Sequence, residues 1–357
     1  MPLDYNNPEF YIGPYHSCYL GYSNDSLSRD GSASGGMVSS VLADLLSSGV
    51  IEGALVSRQN VVNSKIDCET FIATTAKDIL DCRSSIYMHF PLTKSFKGLQ
   101  NFKGKVAVVA LPCQLRDLKK IEQKYPTLSK MIHLRIALFC GGAPQKELTE
   151  KVLLNNKIPL SKVKKIIYKK GHWRGPSHIK MDDGSERVFS YTFNFGAYKN
   201  LYFYSLNKCF NCQDHFGLHS DISFGDAWLK EMKDQPIKHN CIVARNSESA
   251  NILNAMKQKS IITLKESSAK DIIKSQKREL VYKHHTSEAK SKISKFFNLN
   301  HTGPIRVKSK WNHYIAVFLI IINIGLSKNV RLNKIIFFLP KQLIFLYMGL
   351  IRVLLSF

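Results

Sequence analysis

Four of the eight cysteines in this 357-residue chain stand where thiolates could share one metal. Cys209-Phe-Asn-Cys212 is a CxxC pair, a spacing that lets two sulfurs reach a single ion. Cys113 and Cys140 each follow an apolar run expected to be a buried strand, residues 105–111 and 133–139. In open α/β sheets ligands bind outside the carboxyl ends of the strands, so both thiols are expected to face one crevice. Four soft ligands suit a 4Fe-4S cluster or zinc. On spacing alone, other uses of a CxxC stay open, as does burial of Cys113 or Cys140 as a small apolar residue. Cys18, Cys68, Cys82 and Cys241 lack such a setting and read as structural.

A second group of residues could hold an anion. The stretch Arg29-Asp-Gly-Ser32-Ala-Ser34-Gly35-Gly36 lies between an expected strand and an expected helix. Small residues admit close backbone approach, and a helix N-terminus offers free N–H donors with a partial positive charge. Arg29 adds a bidentate cation. The stretch reads as a cradle for a diphosphate or similar anion, or as a flexible turn in which Ser34 caps the helix. Further on, Asp226 and Trp228 follow Gly225, which allows a tight turn; Trp228 could wall a flat ring or fill the core. Lys169-Lys170-Gly-His-Trp173-Arg174 sets cations beside an indole, with Lys170 the expected contact to an anionic cofactor or redox partner, or part of a solvated turn. No residue is assigned a general-acid or general-base role.

The elements that must position these groups follow from periodicity. Residues 18–22 read as a strand, and Met37, Val38, Val41, Leu42, Leu45 and Leu46 recur at helical spacing, with Gly49 as the C-cap. Residues 51–56 read as the next strand, 114–124 as a helix, and Pro144 as the first turn of a helix through Leu153. Alternating strands and helices predict an α/β body with a mainly parallel sheet. Residues 163–168, 178–181 and 187–191, with a turn at 182–185, predict a β-rich insertion at about 160–208. Residues 242–244 read as a late strand of the body.

Charge is unevenly spread. There are 51 Lys+Arg against 27 Asp+Glu, a net charge of +24, which favours a polyanionic partner. Between Lys257 and Lys310, 14 Lys/Arg against 4 Asp/Glu give +10; after Trp311 there are five Lys/Arg and no acid in a very apolar stretch. The expected organisation is a body at 12–256, a basic connecting segment at 257–310, and a helical, apolar, cationic tail at 311–357. The start of the chain has no basic n-region and no apolar h-region, so reduced thiols and a cytoplasmic setting are expected. The run 314–326 is short for a bilayer of ~30 Å. The tail is therefore expected to lie in plane on the anionic inner membrane, and its removal after Lys310 to release a soluble body with its cofactors. Burial of the same helices in the body is the competing expectation.

With these residues in place, the chain resembles the coenzyme F(420) hydrogenase/dehydrogenase beta-subunit family over about residues 12–245. The landmarks are Gly21-Tyr22-Ser23, Arg29 with Ser34-Gly35-Gly36, Val106 to Gln114, Leu138-Phe139-Cys140, the CxxC pair, and Asp221 to Trp228. The resemblance implies a flavoprotein with one 4Fe-4S cluster on Cys113, Cys140, Cys209 and Cys212, and FAD near the Ser/Gly loop. In archaeal relatives electrons pass between the cluster, FAD and coenzyme F(420). Bacterial relatives without that coenzyme often occur with exopolysaccharide and O-antigen synthesis genes. The sequence departs from the family pattern at Ala110-Leu111, usually Gly-Thr, and at Gly141, usually His.

Two classes of function follow. One is an iron–sulfur flavoprotein oxidoreductase that serves a redox partner protein or a small electron carrier. The other is a non-catalytic protein, stabilised by zinc or a cluster, that attends polysaccharide assembly or nucleic acid. No helix-turn-helix, zinc-finger or RNP signature supports a specific nucleic acid.

Overall fold

A computed structural model describes residues 3–172, 175–329 and 331–356. The strands are β1 (Ser17–Ser23), β2 (Gly53–Val62), β3 (Lys65–Ala73), β4 (Val106–Ala110), β5 (Ile132–Leu138), β6 (Val163–Ile167), β7 (Ser177–Met181), β8 (Glu186–Phe189), β9 (Ile222–Asp226), β10 (Asn240–Ala244) and β11 (Ile262–Ser267). Eight of them form one sheet in the order β11-β1-β10-β9-β5-β4-β2-β3. Its centre, β9-β5-β4-β2, is parallel. Antiparallel strands flank that centre on both sides. The continuous apolar run of β4 is that of a strand covered on both faces, while β5 carries His133 and Arg135 between its buried apolar residues.

The predicted insertion is the separate antiparallel sheet β6-β7-β8. Gly184, with φ of 83°, supplies the left-handed turn that returns β7 to β8. The helix after β1 is Met37–Ser47, and it buries Met37, Val41, Leu42 and Leu45 against the sheet.

Several expectations are corrected. Ser34 does not cap that helix, because its Oγ donates to His239 O at 2.7 Å; Gly36, at φ 76°, takes the N-cap place. Its C-cap is Ser48, with Gly49 one position beyond. Pro144 does not start a helix; it bridges to Ser205, and the helix begins at Glu147. The body does not end at 256, since β11 pairs with β1 along the sheet edge. The basic segment is no linker either: Leu280 to Ser287 is buried throughout.

The largest correction concerns residues 311–357. Helices Trp311–Lys328, Asn333–Phe338 and Lys341–Leu354 pack into the largest core cluster of the body through Ala316, Val317, Ile320, Ile344, Met348 and Ile351. They cover the aromatic run 198–204. There Tyr202 and Tyr204 hold φ of 63° and 59°, values uncommon for bulky residues. Tyr204 N donates to Ser327 Oγ at 2.8 Å, and Asn323 Nδ2 donates to Leu201 O at 2.9 Å. The outer faces of the same helices are apolar and exposed, Phe338 at 84% and Leu346 at 67%. Among the described residues, no helix is long and apolar enough to cross a membrane.

Candidate functional site

The parallel centre of the sheet brings the carboxyl ends of β4, β5 and β9 to one side. A cavity of about 540 Å³ opens there, lined by Leu111 after β4, Leu138 to Gly142 after β5, and Asp226 and Trp228 at the end of β9. That is the size of a cofactor site. Seven lining residues are Lys or Arg and two are Asp or Glu, so the cavity favours a polyanion.

Asp226 accepts a hydrogen bond from Lys169 Nζ at 2.7 Å, and that ammonium lies 5.3 Å from the Trp228 ring centroid. Burial opposes the Lys169 charge, but Asp226 and Tyr87 hold its pKa above the usual lysine value. Tyr87 and Tyr191 stack at 6.1 Å, and both flank the cavity. Burial alone would raise the Tyr87 phenol; Lys169 and Lys199 outweigh it and bring it below the ordinary value. Of the pair Lys169 and Lys170, it is Lys169 that lines the cavity. Its neighbour Lys170 faces Asp30 at 3.7 Å. Trp173 and Arg174 lie outside the described residues.

The Ser/Gly stretch also reaches the cavity, through Ser32, Ser34, Gly36 and the first helical turn Met37 to Ser39. Its polar groups are occupied differently from the expected cradle. Arg29 donates to Ser23 O, and Ser32 Oγ donates to Arg29 O and Ser34 O. A Cβ on Gly35 would sit 2.8 Å from Lys238 O and 2.9 Å from Asn240 Oδ1, so this glycine serves close packing of the chain on itself. Of the first-turn N–H groups of the helix, Met37 N–H donates to Asn240 Oδ1 at 3.5 Å, so the donors that face an anion are those of Val38 and Ser39.

The four cysteines come from three segments. Cys113 is the second residue of helix Pro112–Lys124, whose first residue is a proline suited to that turn. Cys140 follows β5, and its N–H donates to His215 O at 3.0 Å. Cys209 lies in the short helix Asn207–Asn211, and Cys212 is its C-cap. Cys209 Sγ lies 3.7 Å from Ala143 O, which ties the CxxC turn to the segment after β5.

The charges of Cys209 and Cys212 act on both Cys113 and Cys140, so all four share one electrostatic neighbourhood. Burial pushes the Cys140 thiol up to about 12, with Lys283 opposing, and raises Cys113, with Lys208 opposing. Burial and Lys283 push the His215 imidazole beside them down to about 3. Among the described residues, no group of three or more His, Cys, Asp or Glu stands in metal-ligating geometry. Chemically the four sulfurs are of the soft type that a thiophilic metal takes.

Of the other cysteines, Cys18 and Cys241 are buried on the adjacent strands β1 and β10. Cys82 borders the cavity, which its sequence context gave no reason to expect. Sequence reasoning also missed Tyr87, Lys199, Glu279 and Arg352 as cavity residues. Lone residues on loops and helices carry no spacing signal, and only the packing brings them together.

Two parts of the chain match the family described as coenzyme F(420) hydrogenase/dehydrogenase, beta subunit: residues 18–97 match its N-terminal part and residues 103–270 its C-terminal part. An uncharacterized protein of Methanocaldococcus jannaschii is 28% identical over 199 residues, which covers 54% of this chain and 52% of that protein. The coenzyme F(420)-dependent sulfite reductase of the same organism is 26% identical over 247 residues, 65% of this chain and 36% of that one. The chain thus spans about half the length of the first relative and about a third of the second. A chain of the xenon-derivatised F(420)-reducing NiFe hydrogenase complex from Methanosarcina barkeri superposes with a TM-score of 0.62, over 82% of this chain and 98% of that one. At 19% identity that likeness is one of fold.

Proposed function

This chain belongs to the coenzyme F(420) hydrogenase/dehydrogenase beta-subunit family, and from that premise we propose that it is an iron–sulfur flavoprotein oxidoreductase. It passes electrons between one 4Fe-4S cluster and FAD to a second redox cofactor or substrate. The observation that carries this reading is the place of Cys140. It shares the neighbourhood of Cys209 and Cys212, and it also lines the cavity at the strand ends.

Cys113, Cys140, Cys209 and Cys212 would hold the cluster, which supplies electrons one at a time. Trp228 and Lys169 would border a flat, anionic cofactor in the cavity, and the N–H groups of Val38 and Ser39 would take its diphosphate. Asp226 keeps Lys169 charged and fixed in direction, so that the ammonium neither swings to solvent nor loses its proton. Tyr87 and Tyr191 shield that part of the cavity from water. As the resemblance implies, the acceptor would belong to exopolysaccharide or O-antigen assembly, with a redox partner protein or a small carrier as donor.

Anaerobically purified full-length protein tests this reading. Flavin and cluster absorption bands are expected, with about four irons per chain. Zinc without colour would overturn it in favour of a zinc-stabilised partner protein.

We also propose that the protein lies on the anionic face of the cytoplasmic membrane. The outer stripe of helix Lys341–Leu354, Leu343, Leu346, Leu350 and Val353, is apolar and exposed, while Ile344, Met348 and Ile351 hold its other face in the core. Lys328, Arg331, Lys334 and Lys341 belong to the same stretch of sequence, with Lys328 and Lys341 donating to Asn207 and Asn156, and no acid follows Glu288. Such helices bind in plane, at about 1 kcal/mol per well-placed cation. Full-length protein should float with phosphatidylglycerol vesicles at low salt and less so at high salt. Failure to float at low salt would remove the membrane from the proposal.

A further inference from the structure

The last helix, Lys341–Leu354, lies beyond residue 270, where the family match ends, so what it adds to the cavity belongs to this chain. Phe345, Gly349 and Arg352 share one face of it, at the i, i+4 and i+7 spacing of a single helical stripe. Arg352 lines the cavity. Phe345, two turns back, packs on Phe193 with ring centroids 4.6 Å apart. Phe193 follows Tyr191 and Thr192, which both line the cavity. Gly349 stands between the two ends of this stripe, and a Cβ there would meet nothing within 4 Å. Glycine weakens a helix interior, and no close packing demands it at this place. The missing side chain leaves a furrow along the helix from Phe345 to Arg352.

The two ends of the furrow differ in chemistry. On the cavity side stand Arg352 and Lys199, the latter on the helix Phe195–Asn200, which packs against the last helix. Neither helix carries an acid. On the outer side Leu346, Leu350 and Val353 are exposed. An apolar surface thus begins where a cationic wall ends. Fixed cations select an anion, and exposed apolar side chains favour an apolar chain laid over them. A ligand with only one of these properties satisfies only one side.

We propose that the substrate of the cavity is an amphiphile. Its anionic head, a phosphate or diphosphate, is held by Arg352 and Lys199, and its apolar tail leaves over Gly349 and lies along Leu346, Leu350 and Val353. This rests on the reading of the cavity as the place of reaction.

The test is isothermal titration of full-length protein with two probes, farnesyl diphosphate and inorganic pyrophosphate, at matched ionic strength and without a bilayer. Farnesyl diphosphate is expected to bind more tightly by about tenfold or more, the effect of burying roughly two methylene groups. Gly349→Leu fills the furrow, and the double variant Leu346→Ser, Leu350→Ser makes the outer stripe polar; none of the three positions is buried. Both variants are expected to bring farnesyl diphosphate to the affinity of pyrophosphate and to leave pyrophosphate unaffected. Arg352→Gln should weaken both probes by about tenfold, as loss of a charged hydrogen-bond donor does. A cooperative thermal transition shows that each variant is folded; where Arg352→Gln lacks one, Lys199→Gln takes its place. Equal affinities of the two probes for the unaltered protein would overturn the proposal. So would an undiminished preference for farnesyl diphosphate in both tail-side variants, or full affinity for both probes in the folded head-side variant. Titration reads binding alone. A colourless protein that binds the amphiphile as expected would remove the redox reading and leave this one, and a coloured protein indifferent to the tail would do the reverse.

Discussion

Cys140→Ala is expected to leave the anaerobically purified protein with almost no iron. A 4Fe-4S cluster bound by four thiolates loses one corner of its ligation with any one of them. Cys140 should show the largest effect of the four. It is the cysteine that both joins the group and lines the cavity. Cys113→Ala, Cys209→Ala and Cys212→Ala should follow, each with iron well below half that of the unaltered protein. Cys68→Ala and Cys82→Ala are the controls. Burial pushes both thiols up to about 12, and neither belongs to the group. Iron and acid-labile sulfide per chain, counted after anaerobic purification, decide the matter. Undiminished iron in all four single variants would eliminate the cluster assignment.

Truncation after Lys310 should have a comparably large effect, of a different kind. The missing residues include eleven buried apolar side chains, among them Val317, Ile320, Ile351 and Leu355. Ten of them are Val, Ile, Leu or Met, each worth about 1.5–3 kcal/mol when fully buried, or about 15–30 kcal/mol together. That is at least as large as a net stability of about 5–15 kcal/mol. The remaining body would keep Tyr202 and Tyr204 in left-handed conformations without the Ser327 hydroxyl that Tyr204 N–H needs. Such strain persists only when the surroundings enforce it. The truncated protein is therefore expected in the insoluble fraction, with loss of the cooperative thermal transition. A soluble, cooperatively folding 1–310 fragment would show that the helices are an appendage after all.

Much of the α/β body was legible because the signals are local. The apolar run of β4 and the largely apolar β5 read as buried parallel strands, and the cysteines after them were placed at the strand ends accordingly. The insertion was legible from one turn, Asp182-Asp183-Gly184. Strands β3 and β11 escaped notice because they are edge strands carrying Lys65, Asp67 and Glu69, or Lys265 and Glu266, whose side chains dilute the apolar alternation. The tail was read as a membrane element because apolar cationic helices look alike whether a bilayer or a core receives them. Here a core receives one face and leaves the other exposed. The basic segment failed as a reading for a related reason. A run of lysines suggests solvent, and nothing local reveals that Lys283 and Lys290 are drawn inside by partners at 209–214. The Ser/Gly stretch lines the cavity through Ser32, Ser34 and Gly36, but the Ser32 hydroxyl bonds to the stretch's own backbone and the Ser34 hydroxyl to His239 O, contacts that no local pattern announces.

Arg352 lines the cavity together with residues that begin at Ser32, and it is synthesised after all of them. Chains leave the ribosome from the N-terminal side at about 5–20 residues per second, and domains fold as units. Because the body without residues 311–357 is not expected to fold, the walls contributed between Ser32 and Glu279 reach their finished arrangement only once helix Lys341–Leu354 has emerged and docked. Assembly of the cavity is thus a late event, and any group that occupies it enters after Arg352 is in place.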